Sequence, residues 1–324
     1  MTRRTAPALA TLSAIVTASV LGAAPDAHAD LVMYCVGSGG AVTVPSDLYV
    51  PPGESCSLTG TTITGNVRVA AGSNLVITGG AVNGSVEVAA DGYLDSTDTR
   101  VDGGVTLAAG GFGLYLNNTD VAGVVVEPKG SATIEGFLFV ERGSTIDGDL
   151  TSGVGEVSVT GSEVTGDVST TAAYFTDLHD SFVDGALSVL NNPTGSVVCG
   201  TAVGGRATFA GNLGGVQLGP NGGLDTCASG GYFARDVGIS NTTGGRTTLD
   251  GNIVNGVLRL TANNPVAEVA DNNSIRGGIV GDHAAPAGSA ATAADGVRGS
   301  ADERARERRA QAAASTTAKG PARL

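Results

Sequence analysis

The stretch GSEVTGDVST, residues 161–170, contains one copy of a phrase that recurs along most of the chain. In each copy an apolar residue, a variable residue and a glycine are followed by a second variable residue and then a second apolar residue. Further copies lie at residues 63–69, 82–88, 101–107, 121–127, 146–152, 183–189, 203–209, 254–260 and 275–281. Self-similarity at a period near 20 residues is typical of a solenoid, in which every repeat forms one coil.

Two columns of residues keep the same phase through these repeats. The first column consists of the phrase glycines, with a degenerate copy around the ninth: Gly65, Gly84, Gly103, Gly123, Gly148, Gly166, Gly185, Gly205, Gly230, Gly256 and Gly277. The second column lies four residues earlier and carries hydroxyl or amide groups: Thr99, Thr119, Ser144, Ser162, Ser181, Thr201, Asn252 and Asn273. We predict that the second column faces inward at a corner, where stacked polar groups satisfy one another. Each glycine is expected to supply a positive-φ or a closely packed corner.

Apolar and polar residues alternate within each repeat, as in Val157 and Val159, and this period of two predicts strands instead of helices. Gly, Asn, Asp and Ser bound each short strand, as turns require. The sequence therefore predicts an all-β fold: a single-stranded right-handed parallel β-helix of about ten coils over residues 58–283. At a spacing of about 4.8 Å between coils, such a rod is roughly 50 Å long.

The coils, and GSEVTGDVST (161–170) in particular, resemble those of secreted bacterial right-handed parallel β-helix repeat proteins. The short coils are also similar to those of bactofilins, which are cytoplasmic, polymer-forming β-solenoids. The resemblance covers residues 58–282 and implies the architecture, but many activities share this rod. No functional residue is transferred from either family, because export features and cysteines set this chain apart from bactofilins.

Residues 1–29 have the features of an export signal. Arg3 and Arg4 precede a small apolar stretch at residues 8–24, and residues 27–29, Ala-His-Ala, match a cleavage site. The mature chain is predicted to begin at Asp30, with the general and the twin-arginine routes both open. The protein is therefore expected to be secreted, outside the cell or at the cell wall, with no membrane insertion after cleavage.

The mature chain has four cysteines, and an even number in an exported protein favours disulfides. Three pairings are possible, and proximity in the sequence favours Cys35–Cys56 and Cys199–Cys227. The first pair would close an N-terminal cap at residues 30–57. Metal binding is the alternative, but the chain has no C-x-x-C motif and no histidine cluster, so no metal or cofactor is predicted. Strand parity places Cys199 inward and Cys227 outward.

The chain has 31 acidic and 18 basic residues, a net charge of −13, and this excludes nucleic acid as a natural partner. The charge is unevenly distributed. Residues 30–282 hold 26 acidic and 9 basic side chains, whereas residues 283–324 hold 4 acidic and 7 basic. The tail at residues 284–324 starts as a linker, and residues 301–314 contain strong helix formers without an apolar stripe. We expect a disordered or partly helical tail, whose positive charge is compatible either with transient docking on the last coil or with contact to an anionic cell wall.

Candidate catalytic residues are Asp177, His179 and Asp180, because a histidine flanked by acids can transfer protons. A solvated turn is the alternative interpretation. Asp91, Asp95, Asp98 and Asp102 form the densest acidic run in the chain. We interpret them as turn formers; the alternatives are the carboxylates of a glycosidase and ligands of Ca²⁺.

Three longer repeats, which end at Gly148, Gly230 and Gly256, are expected to bulge as loops. The aromatic residues assigned to these loops form either an exposed binding face or a cover over gaps: Phe137, Phe139, Tyr232 and Phe233.

The sequence favours an exported, non-catalytic β-solenoid that acts as a structural or adhesive element. Its expected partner is a cell-wall or extracellular glycan, or another copy of the chain. A carbohydrate-active enzyme of the polysaccharide lyase or hydrolase type is the first alternative. A self-assembling polymer is the second.

Overall fold

Alternating apolar residues place three short strands in each coil, and every strand pairs in parallel with the equivalent strand of the next coil. The computed structural model describes residues 32–153, 155–287 and 299–324, and the predicted export signal lies outside these residues. The chain winds into a right-handed parallel β-solenoid with three sheets, here called sheets A, B and C. Sheets A and B have 13 strands each and sheet C has 12, so the thirteenth coil is incomplete. Twelve intervals of about 4.8 Å make a rod of roughly 58 Å.

Sheet A contains one strand from every coil: β1 Val32–Tyr34, β4 Asp47–Val50, β7 Val67–Val69, β10 Val86–Val88, β13 Val105–Leu107, β16 Val124–Val126, β19 Leu150–Ser152, β22 Val168–Thr171, β25 Leu187–Leu190, β28 Ala207–Ala210, β31 Val237–Ser240, β34 Leu258–Thr261 and β37 Ile279–Val280. Sheet B contains the longest strands: β2 Gly37–Gly39, β5 Ser55–Thr59, β8 Asn74–Thr78, β11 Tyr93–Thr97, β14 Gly113–Asn117, β17 Phe137–Glu141, β20 Glu156–Thr160, β23 Phe175–His179, β26 Gly195–Cys199, β29 Gly215–Leu218, β32 Thr247–Leu249, β35 Ala267–Val269 and β38 His283–Ala284. Sheet C consists of two-residue strands: β3 Thr43–Val44, β6 Thr62–Ile63, β9 Ala81–Val82, β12 Arg100–Val101, β15 Asp120–Val121, β18 Thr145–Ile146, β21 Glu163–Val164, β24 Phe182–Val183, β27 Ala202–Val203, β30 Tyr232–Phe233, β33 Ile253–Val254 and β36 Ser274–Ile275.

The core consists of apolar ladders that run along the rod. Val67, Val86, Val105 and Val124 pair in register on four successive coils, and none of them is more than 2 % exposed. A fully buried valine or leucine contributes about 1.5–3 kcal/mol. Because each coil adds such residues only against its neighbours, the stability of the rod accumulates coil by coil.

The coil number exceeds the predicted ten because residues assigned to the N-terminal cap also form coils. Strands β1 to β5 belong to the first two coils. The second coil was hidden because Ser46 stands in the glycine column: Leu48 pairs with Val67, which aligns Ser46 with Gly65. The polar Ser-Asp pair in VPSDLYV (44–50) masks a phrase that keeps the spacing of its apolar residues.

The repeat glycines permit close packing between coils, and none of the eleven has a positive φ. A Cβ on Gly166 would lie 2.5 Å from the carbonyl carbon of Gly148. A Cβ on Gly185 would lie 2.4 Å from the carbonyl oxygen of Gly166. At these two positions a side chain would therefore meet the backbone of the preceding coil, and of the two predicted roles the glycines fill the closely packed one.

Gly230 does not belong to this column. Ala207 pairs with Val237, and this register aligns Gly205 with Arg235. Gly230 instead lies in the turn before β30, aligned with Gly251. The assignment failed because the chain at residues 219–231 is an insertion, which shifts the phase of the repeat.

The predicted inward polar column is confirmed. Its members from Thr99 to Asn252 are at most 4 % exposed. Ser144 Oγ accepts a hydrogen bond from the Thr119 amide at 3.1 Å, and Asn273 Oδ1 accepts one from the Asn252 amide at 2.9 Å. Each side chain therefore satisfies the backbone of the adjacent coil at the corner between sheets B and C.

The C-terminal tail forms helix α1, Gly299–Lys319, and docks along sheet B next to β2, β5 and β8 instead of on the last coil. Small side chains make the buried stripe of the helix: Ala301, Ala305, Ala312 and Thr316. Gly320, at φ 74°, ends the helix, and Ala322 then donates a 2.7 Å hydrogen bond to the Ser38 carbonyl. Net charge predicted attraction to the body, but it could not predict which coil receives the helix. Within the described residues, no helix combines the length and hydrophobicity that crossing a bilayer requires.

Candidate functional site

Within the described residues, a helix and a loop of the chain itself cover the outer face of sheet B. Helix α1 covers aromatic residues of the fourth to sixth coils, and we call this the helix-covered region: Tyr93, Phe112, Tyr115, Phe137 and Phe139. The loop between β29 and β30, residues 219–231, covers the eighth and ninth coils, and we call this the loop-covered region: Phe175, Asp177, His179, Val197 and Cys199. Polar and charged groups are buried under both covers.

In the loop-covered region, a disulfide and a buried amide fix the loop to the sheet. Cys199 and Cys227 form the disulfide, and a second one joins Cys35 to Cys56 in the first two coils. Gln217 is fully buried, and its Oε1 accepts hydrogen bonds from the Leu224 and Asp225 amides at 2.9 and 3.1 Å. The Gln217 Nε2 donates to the Asp225 carbonyl at 2.8 Å. Both polar groups of the Asp225 backbone are therefore held by one side chain.

Cys199 faces outward, contrary to the inward orientation predicted from parity. It packs with Phe175 and Val197 on the outer face, while its neighbour Val198 lies in the core. The residue is nonetheless only 2 % exposed, because the loop covers it. The parity argument failed because it assumed that buried residues face the core of the rod.

An ionisable cluster lies at the edge of this cover. His179 Nε2 is 2.7 Å from Asp177 Oδ1 and 3.0 Å from Asp225 Oδ2. The Asp177 side chain is 1 % exposed, and those of His179 and Asp225 are each 14 % exposed. Strand β23 supplies the first two residues, because Asp177 and His179 are two positions apart and share a face. One nitrogen and two carboxylate oxygens can hold a proton between them or coordinate a metal ion.

The structure brings together two of the three predicted site residues and separates the third. Asp180 lies in the exposed turn after β23 with φ 47°, and its amide donates to the Cys199 carbonyl at 3.0 Å. Asp225 was missed, although the sequence contained a signal for it. It stands two residues before Cys227, and the disulfide partner Cys199 pairs in register with His179.

In the helix-covered region, arginines of α1 lie over aromatic rings. The guanidinium carbon of Arg308 is 4.7 Å from the centre of the Phe112 ring, and that of Arg309 is 4.7 Å from Tyr115. Arg309 also pairs with Asp95, which is 2 % exposed and accepts a hydrogen bond from the Tyr93 hydroxyl at 2.8 Å. Cation–π contacts and an ion pair between the half-exposed Arg309 and the buried Asp95 therefore hold the helix in place.

The two tyrosines of this region have perturbed acidities. Burial raises the pKa of Tyr93 far above its ordinary value, and the negative charge of Asp95 raises it further. Burial also raises the pKa of Tyr115. Both shifts favour the neutral phenol, because a buried phenolate next to a carboxylate is destabilised by lost hydration and by repulsion.

The acidic run at 91–102 is distributed around one coil and does not form a pair of facing carboxylates. Asp91 and Asp98 occupy turns on either side of β11 with φ near 50°, which confirms them as turn formers. Asp95 lies between them on β11 under the helix, and Asp102 follows β12 beside Arg100.

The predicted aromatic loop surfaces are also corrected. Phe137 and Phe139 are on β17 and at most 2 % exposed, beneath α1, and Phe233 is in the core. Of this set, Tyr232 is exposed, at 42 %. The extra residues lie instead at 127–136 and 219–231, beside two different corners of sheet B. The rings were misplaced because strand boundaries near an insertion cannot be set by repeat phase.

Shallow, open grooves line the two uncovered sheets. One of about 400 Å³ lies between Tyr34, Tyr49 and Arg68 on sheet A, and one of about 380 Å³ lies between Arg100, Asp120 and Asp147 on sheet C. No protein-family model, curated protein or solved structure matches this chain.

Proposed function

We propose that the protein is an exported, non-catalytic rod that acts as a structural or adhesive element outside the cell. The observation that supports this role is the uninterrupted stack of 13 coils, with one face covered by the chain itself. Such a rod resists bending and unfolding, because apolar ladders and backbone ladders continue through all its coils. Its partner would be a cell-wall or extracellular glycan that binds an uncovered sheet.

The cysteines support the location. Two disulfides are typical of an oxidising compartment, since cytosolic thiols are kept reduced. The export signal at residues 1–29 belongs to the same proposal. Secretion of a fusion of residues 1–29 to a reporter enzyme would support it, and retention of the reporter in the cytoplasm would contradict it.

The carbohydrate-active alternative would need carboxylates that a sugar chain can reach. Asp177 is covered by the loop at 219–231, which the disulfide ties to β26. A polysaccharide would have to displace that loop to reach the cluster. This geometry favours a non-catalytic role for the candidate site.

A binding and hydrolysis screen separates the two functions. The chain with both disulfides formed is tested on a glycan array and against a panel of cell-wall and extracellular polysaccharides. Binding without release of reducing ends or unsaturated products is the expected result. Turnover that disappears in Asp177→Asn but persists in Asp180→Asn would overturn the non-catalytic proposal.

Self-assembly is a second candidate, favoured by a difference between the two ends of the described rod. Ala322 pairs with Ser38 at the first edge of sheet B. At the other end Val280 is 52 % exposed, and β38 is exposed throughout. An uncovered strand edge is a template for pairing with another chain. Electron microscopy and sedimentation over a concentration series would show filaments if the ends stack and single rods of roughly 6 nm if they do not.

A further inference from the structure

The cluster of Asp177, His179 and Asp225 under the loop is not used by the proposed function. We propose that it is a zinc site, in which Asp177 Oδ1, His179 Nε2 and Asp225 Oδ2 bind one Zn²⁺ and tie the loop to β23. The sequence predicted no metal. The two carboxylates come from segments far apart in the chain, so no ligand spacing reveals them.

The separations between the ligand atoms fit one ion. Zinc lies about 2.0–2.2 Å from nitrogen and oxygen ligands, so neighbouring ligand atoms of a tetrahedral site are roughly 3.3–3.6 Å apart. The two nitrogen–oxygen separations are 2.7 and 3.0 Å, and all three ligand atoms lie within 4.8 Å of one another. Rotations of the two carboxylates that widen these separations by about 0.3–0.9 Å therefore admit the ion.

The orientation of the imidazole also points to an ion between these groups. His179 Nε2 is buried and makes no hydrogen bond of good geometry, although two carboxylate oxygens are close to it. An N–H aimed between two oxygens makes a poor hydrogen bond with each of them. One imidazole nitrogen within 3.0 Å of an oxygen from each of two carboxylates is an arrangement that a shared metal ion stabilises.

The chemistry of the ligands selects the class of metal. An imidazole with two carboxylates suits zinc and its transition-metal neighbours, whereas calcium and magnesium prefer oxygen ligands alone. The two carboxylates neutralise the double charge of the ion. The remaining exposure of His179 and Asp225, 14 % each, leaves a path for the ion and room for a water as fourth ligand.

The surroundings fix the ligand on the loop before any metal binds. The Gln217 side chain forms hydrogen bonds with both the amide and the carbonyl of Asp225, and the disulfide anchors the chain two residues later. Positioning groups of this kind typically change metal affinity about 10–100-fold. Gln217 is therefore a positioning residue, which acts through Asp225.

The test is calorimetric titration of Zn²⁺ into the full chain, with both disulfides formed, no affinity tag and prior removal of metals. We expect one equivalent of Zn²⁺ to bind and to raise the melting temperature, since binding to the native state alone stabilises it. Mg²⁺ at millimolar concentration should not compete. Failure to bind Zn²⁺ at 0.1 mM free ion, roughly the weakest affinity we would accept, overturns the proposal.

Matched variants show where the ion binds. Asp225→Asn and His179→Gln should each weaken binding about 100-fold or more, because each loses one of three protein ligands. Asp180→Asn is the control, since it makes the same chemical change in the adjacent turn and asparagine tolerates its positive φ. His283→Gln controls for the exposed histidine of the last coil. Equal Zn²⁺ affinity in the parent and Asp225→Asn would place the ion elsewhere and overturn the proposal.

A second readout separates lost binding from lost folding. Far-UV circular dichroism and free-thiol titration should show that each variant keeps its β-structure and its disulfides. The stabilisation by Zn²⁺ should vanish in Asp225→Asn while its metal-free melting curve stays sharp. Equal stabilisation by Zn²⁺ in this variant would also contradict the proposed site.

Discussion

The helix-covered and loop-covered regions lie on the same face of the same sheet, but their covers are held by different interactions. The loop at 219–231 connects adjacent strands, and a disulfide and a buried glutamine fix it. Helix α1 comes from the end of the chain, and guanidinium groups over aromatic rings hold it in place together with the ion pair of Arg309 and Asp95. A local cover loses little entropy on closing, whereas a distant one must be ordered by many contacts.

Removal of the helix cover should have the largest effect. A chain that ends at Ala287 would expose Phe137 and Phe139, and loss of their burial costs about 1.5–3 kcal/mol each, or about 3–6 kcal/mol together. Guanidinium unfolding should show the lower stability, and a dye for exposed apolar surface should bind. The far-UV spectrum should remain that of a β-rod, because the coils stabilise one another. An unchanged unfolding midpoint would mean that the helix is not part of the folded unit.

Removal of the disulfide under the loop should have the next largest effect. The Cys199–Cys227 bond closes a separation of 28 residues, for which the chain-entropy model gives about 3–4 kcal/mol. The double variant Cys199→Ser with Cys227→Ser should therefore lower the free energy of unfolding by that amount. Binding of the dye to the helix-covered region should stay at the parent's level, since the two covers are independent. Dye binding equal to that of the helix deletion would show instead that the covers are coupled.

A double-mutant cycle measures the ion pair between Arg309 of the helix and the buried Asp95. Arg309→Gln should destabilise the protein, because Asp95 would then be buried without its charged partner. In combination with Asp95→Asn, the coupling energy should be about 0.5–3 kcal/mol. Arg306→Gln is the matched control on the solvent side of α1, where the arginine bonds within the helix to the Asp302 carbonyl. This control should change the free energy of unfolding by no more than about 0.5 kcal/mol. A larger change would show that the arginine substitutions act through helix propensity and not through docking of the helix.

The smallest effect expected near neutral pH is in the pH dependence of the free energy of unfolding, which also distinguishes the two regions. Because the pKa of Tyr93 is raised in the folded protein, its stabilising contribution is complete below pH 10 and is lost as the pH rises above that value. The slope reaches at most about 1.4 kcal/mol per pH unit. Tyr93→Phe should reduce the alkaline loss of stability, measured by denaturant unfolding between pH 9 and 11. An unchanged slope would indicate that the Tyr93 hydroxyl ionises in the folded state.

Local patterns in the sequence were sufficient to predict the regular coils, but they failed wherever a coil departs from its neighbours. The phrase around Gly166 predicted strands, inward apolar residues and the polar corner column. The same phrase failed at Ser46, where a polar residue replaces glycine, and at Gly230, where an inserted loop shifts the register. The candidate site shows the same division. Asp177 and His179 were predictable because they share one strand, while Asp225 reaches them through the fold of a loop.

The sequence by itself determined the spiral, because alternation and a glycine every 20 residues or so are local properties that each coil repeats against the next. Only the tertiary structure decided what covers sheet B. The partners there, such as Arg309 with Asp95 and Asp225 with His179, are far apart in the chain and are selected by shape and charge after the coils have stacked. Composition and net charge contain no positional information. They therefore predicted that the tail is attracted to the body, but they could not predict on which surface of the body the tail docks.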